Sequence, residues 1–215
     1  MRYIAILILT VSFQSYSAEM NYGHFEGKVK AEWLTGDESE RRMKLLEDFT
    51  YVDPKGKRWT APKGYVTDGA SIPKVFWSIV GAPFDGQYRE AAVIHDEYCD
   101  SKTEPWKDVH RIFYYANRAA GVSEIKAKIL YTAVRVAGPK WGDNSSHCYT
   151  CHTIQNKNYQ TDKNGRLTNI PQISETEAKE VAKWVTEKNP SLEDIDQYIG
   201  GKFPKSGFGH DELGY

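Results

Sequence analysis

Residues 91–99 read Ala-Ala-Val-Ile-His-Asp-Glu-Tyr-Cys and place a histidine and an aspartate side by side behind four apolar residues. An imidazole can accept a proton or ligate a metal ion, and so can a carboxylate. Consecutive residues on a helix point about 100° apart, so His95 can face a core while Asp96 faces a cleft. These two residues are therefore the first candidates for a catalytic or metal-binding site.

Two further side chains could complete this site. Asp68 lies in Val-Thr-Asp-Gly-Ala-Ser, at the predicted end of a strand, where functional loop residues are common. His110 lies on the next predicted helix, which a short connection at residues 100–104 could lay antiparallel to the first. The sequence thus predicts that three segments converge. The four residues that could bind a divalent metal or activate a water for hydrolysis are Asp68, His95, Asp96 and His110.

A structural interpretation of the same residues stays open. Asp68 can form a turn with Gly69, and His95 and His110 can be hydrogen-bonded core histidines that tie two helices together. Cys99, one helical turn after His95, is expected to be buried or disulfide-bonded rather than a nucleophile.

A second motif, His-Cys-Tyr-Thr-Cys-His-Thr at residues 147–153, has the spacing of a covalent haem site. Cys148 and Cys151 could bond the two vinyl groups of haem c, and His152 could ligate the iron. No methionine follows His152, so either His147 or His210 supplies a sixth ligand or the iron is five-coordinate. A Cys148–Cys151 disulfide, which we narrowly favour, and a zinc site are the competing interpretations.

The first 18 residues are typical of an export signal. Arg2 precedes an apolar run from Ile4 to Val11, and small residues before Glu19 offer a cleavage site. The run is too short to cross a bilayer comfortably, although a retained anchor is the alternative. We therefore expect a periplasmic or secreted protein that has no stable membrane span after cleavage and that acts on an envelope substrate or a partner protein.

The charge balance argues against nucleic-acid binding. Loss of Arg2 with the signal leaves 27 of the 28 basic residues against 29 acidic ones. This near-neutral composition gives no electrostatic reason to expect a nucleic-acid partner.

The elements that must position the candidate residues indicate an α+β protein. Residues 25–67 are rich in strand-forming patterns, with a turn at Asp53-Pro54-Lys55-Gly56, and predict a small antiparallel β-meander. Pro73 can begin a short helix, and residues 87–99 form the next helix. Pro105 and Ser123 then begin two more, which complete a three-helix unit.

The C-terminal part has a different character. A polar stretch from Trp141 to about Thr168 predicts a long loop. Ser174 and Glu177 form a capping-box pattern ahead of a helix, and a shorter helix should end at Gly200-Gly201. We therefore divide the chain into a signal peptide at residues 1–18, an α+β domain at 19–141, and an irregular and helical extension at 142–215 that carries the haem-type motif.

Three quoted stretches carry a family resemblance: GYVTDGASIPKVFWSIVGAPFDGQYREAAVIHDEYC, DVHRIFYYANRAAGV and ILYTAVRVAGPKW. Together, over roughly residues 26–141, they resemble a family of small bacterial and phage-encoded proteins of unknown function. Its signature is the Thr-Asp-Gly-Ala-Ser-Ile-Pro loop, a helix ending in His-Asp, and a helix with an acidic residue before a phenylalanine. The resemblance implies a fold but no established reaction.

The chain departs from that family pattern at one position. His110 stands where the family usually carries an aspartate, three residues before Phe113. Aspartate and histidine exchange readily as metal ligands, but poorly where a negative charge must orient a catalytic histidine. The departure therefore favours a metal site over a charge-relay arrangement.

The His-Asp helix also resembles, locally, the catalytic helix of secreted phospholipases of the A2 type. That resemblance implies His95 as the base that activates water and Asp96 as a calcium ligand. The chain lacks the glycine-cysteine calcium loop and the dense disulfides of those enzymes.

These observations predict an exported protein with a hydrolase-like His/Asp site, with or without a divalent metal, acting on phospholipid or cell-wall material. The alternatives are a c-type haem protein for electron transfer or redox sensing, and a non-enzymatic envelope binding protein.

Overall fold

A computed structural model describes residues 20–34, 42–67, 74–81, 86–141 and 173–203. Short strands occupy the N-terminal half of these ranges and helices the remainder. The strands are β1 (His24–Glu26), β2 (Ala31–Trp33), β3 (Met43–Leu45), β4 (Phe49–Val52), β5 (Arg58–Ala61) and β6 (Val66–Thr67). The helices are α1 (Lys74–Val80), α2 (Arg89–Ser101), α3 (Trp106–Ala119), α4 (Glu124–Ala137), α5 (Glu175–Lys188) and α6 (Leu192–Lys202).

The strands form two antiparallel three-stranded sheets, in the orders β1-β4-β5 and β2-β3-β6. The predicted α+β class and the antiparallel pairing are confirmed, but the strands are divided between two sheets instead of forming one meander. The Leu46 N–H still donates to the Lys30 carbonyl at 2.9 Å and continues the β2–β3 pairing, so the change of sheet falls between Leu46 and Phe49. The Asp48 carboxylate then accepts the Lys63 N–H at 2.7 Å. Met43–Val52 therefore supplies one strand to each sheet.

The turn predicted at residues 53–56 joins β4 to β5. One carboxylate oxygen of Asp53 accepts the N–H groups of Lys55 at 2.8 Å and Lys57 at 3.0 Å, and the other accepts Trp59 Nε1 at 3.1 Å. The buried Trp59 ring then contacts Tyr98 of α2, with ring centroids 4.9 Å apart. The β4–β5 hairpin thus packs the sheet β1-β4-β5 against α2.

Helices α2 and α3 form a hairpin inside the predicted three-helix unit. Lys102 ends α2 by adopting a left-handed conformation (φ 54°), and its N–H donates to the Tyr98 carbonyl. Pro105 precedes α3, which packs against both α2 and α4. The short connection turns the chain back, so polar residues of α2 meet those of α3 inside the core.

The C-terminal helices pack on the same core. Helix α5 contacts α1 and α4, and α6 contacts α4. Asp196 of α6 accepts from Tyr131 Oη at 2.7 Å and from Arg135 Nε at 2.8 Å, and it also pairs with Arg111. Carboxylate–guanidinium hydrogen bonds are among the stronger ones in proteins, so Asp196 fastens α6 to α3 and α4.

The predicted start of α5 is confirmed, and the predicted end of α6 is wrong. Ser174 and Glu177 make both hydrogen bonds of a capping box. Helix α6 continues through Gly200 and Gly201 to Lys202, and its last turn is closed by the Phe203 N–H, which donates to Ile199 at 2.8 Å.

None of the helices in the described ranges has both the length and the apolar character needed to cross a bilayer. The predicted signal peptide, residues 1–18, lies outside the described residues.

Candidate metal centre

His95 of α2 and His110 of α3 face each other in the core, both with no exposed surface. His95 Nε2 lies 2.9 Å from His110 Nδ1, and His110 Nε2 lies 3.1 Å from the Pro139 carbonyl oxygen. Because a carbonyl only accepts hydrogen bonds, we assign the His110 proton to Nε2, and His95 Nε2 then donates to the bare Nδ1 of His110. The N–H of His95 therefore donates to His110, and the N–H of His110 donates to the Pro139 carbonyl.

The environment of His110 keeps its imidazole neutral. Burial lowers its pKa well below the usual value, and the nearby His95, Arg135 and Lys140 lower it further. The hydrogen bond to Pro139 acts in the opposite direction but is the weakest of these influences. A neutral His110 has one bare nitrogen, as metal ligation requires.

Cys99 completes a buried group of three donors. It lies four residues after His95, on the same side of α2, and its Sγ is 3.6 Å from Nε2 and 3.7 Å from Nδ1 of that ring. One ligand atom from each of His95, Cys99 and His110 falls within 4.8 Å of the others. We call these three residues the His-Cys-His cluster.

Asp96 lies beside the cluster, on the Nδ1 side of His95. One carboxylate oxygen accepts from Thr67 Oγ1 of β6 at 2.7 Å. The other, Oδ1, is 3.9 Å from His95 Nδ1, which is too long for a hydrogen bond. Both Thr67 and Asp96 are buried.

Aromatic rings enclose the cluster. Phe113 lies 4.6 Å from the His95 ring between centroids, and Trp106 and Trp141 contact His110 edge-on at 5.5 and 6.4 Å. Trp141 is held in turn by donating from Nε1 to the Glu104 carbonyl at 2.8 Å. Such packing limits the rotation of both imidazoles, which is the preorganisation that a ligand site needs.

Two cations border the cluster on the Trp106 side. The Arg135 guanidinium carbon is 4.7 Å, and Lys140 Nζ is 5.3 Å, from the Trp106 ring centroid. Burial, with a smaller influence from Arg135, lowers the pKa of Lys140 to about 7. These charges disfavour a proton on His110 and leave its lone pair available.

The structure brings together two of the four residues predicted for the site, His95 and His110, and places Asp96 next to them. Asp68 lies outside the described residues, as do Cys148, Cys151 and His152 of the haem-type motif. The sequence predicted that Cys99 is buried or disulfide-bonded; it is buried and has a free thiol. Its role as a donor was missed, although its spacing of four residues from His95 indicates that the two side chains share a helix face. Sequence reasoning also missed Thr67, whose contact with Asp96 depends on how β6 packs on α2.

The geometry discriminates between kinds of chemistry. In a charge-relay triad the ring nitrogen opposite the carboxylate serves the nucleophile, whereas His95 Nε2 is hydrogen-bonded to His110. A nucleophilic cysteine is usually partly exposed, whereas Cys99 is 2% exposed.

Zinc bonds of about 2.0–2.3 Å place tetrahedral ligand atoms about 3.3–3.6 Å apart. The distance from Cys99 Sγ to His95 Nε2 falls in this range, but the sulfur is almost as close to Nδ1, so metal binding would require the sulfur to move to the lone-pair side of Nε2. The facing imidazole nitrogens, 2.9 Å apart, would need to separate by about 0.4 Å.

Comparison with known proteins extends the description without supplying an activity. A family model described as "protein of unknown function (DUF1353)" matches residues 43–134. The chain is similar to the uncharacterised protein y4jT of Sinorhizobium fredii, with 42% identity over 64% of this chain and 40% of the relative. It is also similar to the uncharacterised protein y4iH of the same organism, with 42% identity over 62% of this chain and 54% of the relative. The chain thus spans about half or less of the length of these relatives, and no solved structure matches it.

Proposed function

We propose that the α2–α3 hairpin binds a transition-metal ion, with zinc as the probe ion, through His95 Nε2, Cys99 Sγ and His110 Nδ1. The observation that carries this proposal is the convergence of the three donors within 4.8 Å in a buried, aromatic-lined core. Imidazole and thiolate are ligands for zinc and similar metals, whereas calcium takes oxygen ligands. The donor set therefore favours a transition metal over the calcium ion that the phospholipase likeness implies.

Charge balance supports the same proposal. A buried divalent ion is costly unless compensating charges lie close to it. A Cys99 thiolate supplies one negative charge, and an ionised Asp96 carboxylate beside His95 supplies a second. Together they would neutralise the ion inside the core.

The proposed activity is hydrolysis in the cell envelope. Three protein ligands leave a fourth position on zinc for water, and zinc lowers the pKa of bound water to about 7. Because all three donors are buried, a substrate would have to displace the segments around them to reach that position. The envelope location rests on the export signal predicted at residues 1–18. Phospholipid and cell-wall material are the two substrate classes to be tested.

The metal proposal is tested by zinc titration with a chromophoric competitor. Because Cys148 and Cys151 could also bind zinc, the titration uses the full chain with both changed to serine. We expect one zinc ion per chain, and His95→Ala or His110→Ala to weaken binding by at least about 100-fold, more than the loss of an outer hydrogen-bond partner costs. His24→Ala, at an exposed histidine of β1, is the matched control and should bind as the parent does.

Unchanged binding in His95→Ala would contradict the proposal and leave the two histidines as a structural hydrogen bond between helices. Hydrolysis has its own test, in which the zinc-loaded chain is incubated with phospholipid vesicles or with peptidoglycan. Zinc-dependent turnover of either one, lost in His110→Ala, supports the activity. Bound zinc without turnover of either would overturn hydrolysis on these two substrates and leave metal binding in place.

A further inference from the structure

We infer that Asp96 and Thr67 are positioning residues for the metal centre: in the loaded site, Asp96 accepts the Nδ1–H of His95 and Thr67 holds the carboxylate in place. This inference rests on the metal centre proposed above. It assigns Asp96 a role other than the ligand or catalytic role expected from the sequence.

The hydrogen-bond donors of the two histidines determine where the His95 proton must lie. The Pro139 carbonyl fixes the His110 proton on Nε2, so His95 Nε2 donates to His110 Nδ1. A metal bound by His95 Nε2 and His110 Nδ1 needs the lone pairs of both atoms, and the Nε2 proton of His95 must then be absent. The N–H of a neutral, ligated His95 is therefore on Nδ1.

Among the described residues, Asp96 Oδ1 lies 3.9 Å and Cys99 Sγ 3.7 Å from that nitrogen. In the loaded site the Cys99 thiolate is a metal ligand, whereas the carboxylate is a strong hydrogen-bond acceptor. A small rotation of the imidazole or the carboxylate, shortening the separation by about 1 Å, would form a charge-assisted hydrogen bond. Asp96 is thus the acceptor best placed to select the ligating form of His95.

Thr67 holds the carboxylate oxygen of Asp96 that is farther from the histidine. Its Oγ1 donates to Oδ2 at 2.7 Å, while Oδ1 is the oxygen nearer to His95. Thr67 is the last residue of β6, which packs against α2. The contact links the sheet β2-β3-β6 to the proposed centre, since a shift of β6 would move the carboxylate relative to the imidazole.

The expected size of the effect follows from metal sites in general. Loss of the group that accepts the outer N–H of a ligating histidine typically weakens metal binding 10- to 100-fold. Asp96→Asn keeps the shape of the side chain but removes its charge, so we expect a loss in that range. Thr67→Val removes only the hydroxyl and should weaken binding less, by roughly 3- to 10-fold, because the carboxylate remains.

Zinc affinity of the full chain carrying Cys148→Ser and Cys151→Ser is the first measurement, with thermal unfolding followed in parallel. Asp108→Asn makes the same chemical change at an exposed residue of α3 and should leave zinc affinity unchanged. Equal affinity in Asp96→Asn and the parent would overturn the inference.

Nitrogen-15 NMR of the zinc-loaded parent chain is the second measurement and needs no variant to fold. We expect a proton-bearing Nδ1 and a metal-bound Nε2 for His95. A proton on Nε2, with Nδ1 bound to zinc, would overturn the positioning role even if Asp96→Asn weakened binding. Failure of the parent chain to bind zinc would instead refute the metal centre itself, so the two failures are distinguishable.

Discussion

At the scale of single residues, the end of α4 helps to determine the state of His110. Gly138 follows α4, and a Cβ atom built there would lie 2.3 Å from the Val134 carbonyl oxygen. A glycine therefore permits the close turn after which the Pro139 carbonyl accepts from His110. The ring state of a buried histidine is thus determined by backbone geometry almost thirty positions further along the chain.

Lys140, the next residue, makes stability depend on pH. Its pKa is lowered from 10.5 to about 7 by burial and, secondarily, by Arg135. An unfolded lysine remains protonated to about pH 10, so above pH 7 the unfolded state binds more protons than the folded state. The free energy of unfolding should consequently rise with pH, by about 2 kcal/mol between pH 7 and pH 9 from this residue alone.

Urea unfolding at several pH values measures this effect. Lys140→Met should lose that part of the rise, whereas Lys55→Met, at an exposed turn residue, should retain it. An identical pH dependence in Lys140→Met and the parent would show that the lysine is not the source.

At the scale of elements, the helix starts differ in how they are capped. Ser174 and Ser191 each accept a backbone N–H in a capping box, whereas Ser123, at the start of α4, makes no side-chain capping hydrogen bond within the described residues. All three serines follow the same sequence rule. Only those with an acidic residue three positions later form the reciprocal pair.

We therefore expect Ser174→Ala to lower the free energy of unfolding by about 1 kcal/mol and Ser123→Ala to lower it by less. Chemical denaturation of both variants makes the comparison, since each removes one hydroxyl from the start of a helix. A loss in Ser123→Ala as large as that in Ser174→Ala would contradict the capping explanation.

The elements also show where sequence prediction succeeds and where it fails. Proline and serine signals located the starts of α1, α3, α4 and α5 because these residues act within a single turn of chain. The assignment of β3 and β4 to different sheets was not predictable, since strand pairing depends on distant partners. The end of α6 was mispredicted because the cost of a helical glycine, about 1 kcal/mol, is small enough for tertiary packing to override.

In the candidate site, too, contacts set by local chain geometry were predictable, and contacts set by the packing of distant elements were not. The His95–His110 contact could be anticipated, because a short connection between two helices fixes which faces meet. Cys99 was readable from its spacing but was predicted only to be buried or disulfide-bonded. The Thr67–Asp96 and His110–Pro139 contacts were not readable, since each joins residues 29 positions apart through the packing of separate elements.

At the scale of the whole molecule, the cluster lies where the three-helix unit meets strand β6. The matched family region, residues 43–134, contains all three proposed donors, whereas Pro139 and the C-terminal helices lie beyond it. Those helices nevertheless share the main core and are fastened to α3 and α4 by Asp196. Export and the haem-type motif at Cys148, Cys151 and His152 stay predictions from the sequence.

X-ray absorption at the zinc edge tests the central claim most directly. It is performed on the zinc-loaded full chain with Cys148→Ser and Cys151→Ser, so that Cys99 is the one remaining thiol. We predict one sulfur ligand at about 2.3 Å and two imidazole nitrogens at about 2.0–2.1 Å, with the sulfur absent in Cys99→Ser. A first coordination shell of zinc that contains only oxygen or nitrogen would contradict the metal centre. So would a spectrum that does not change when His95 and His110 are both replaced by alanine.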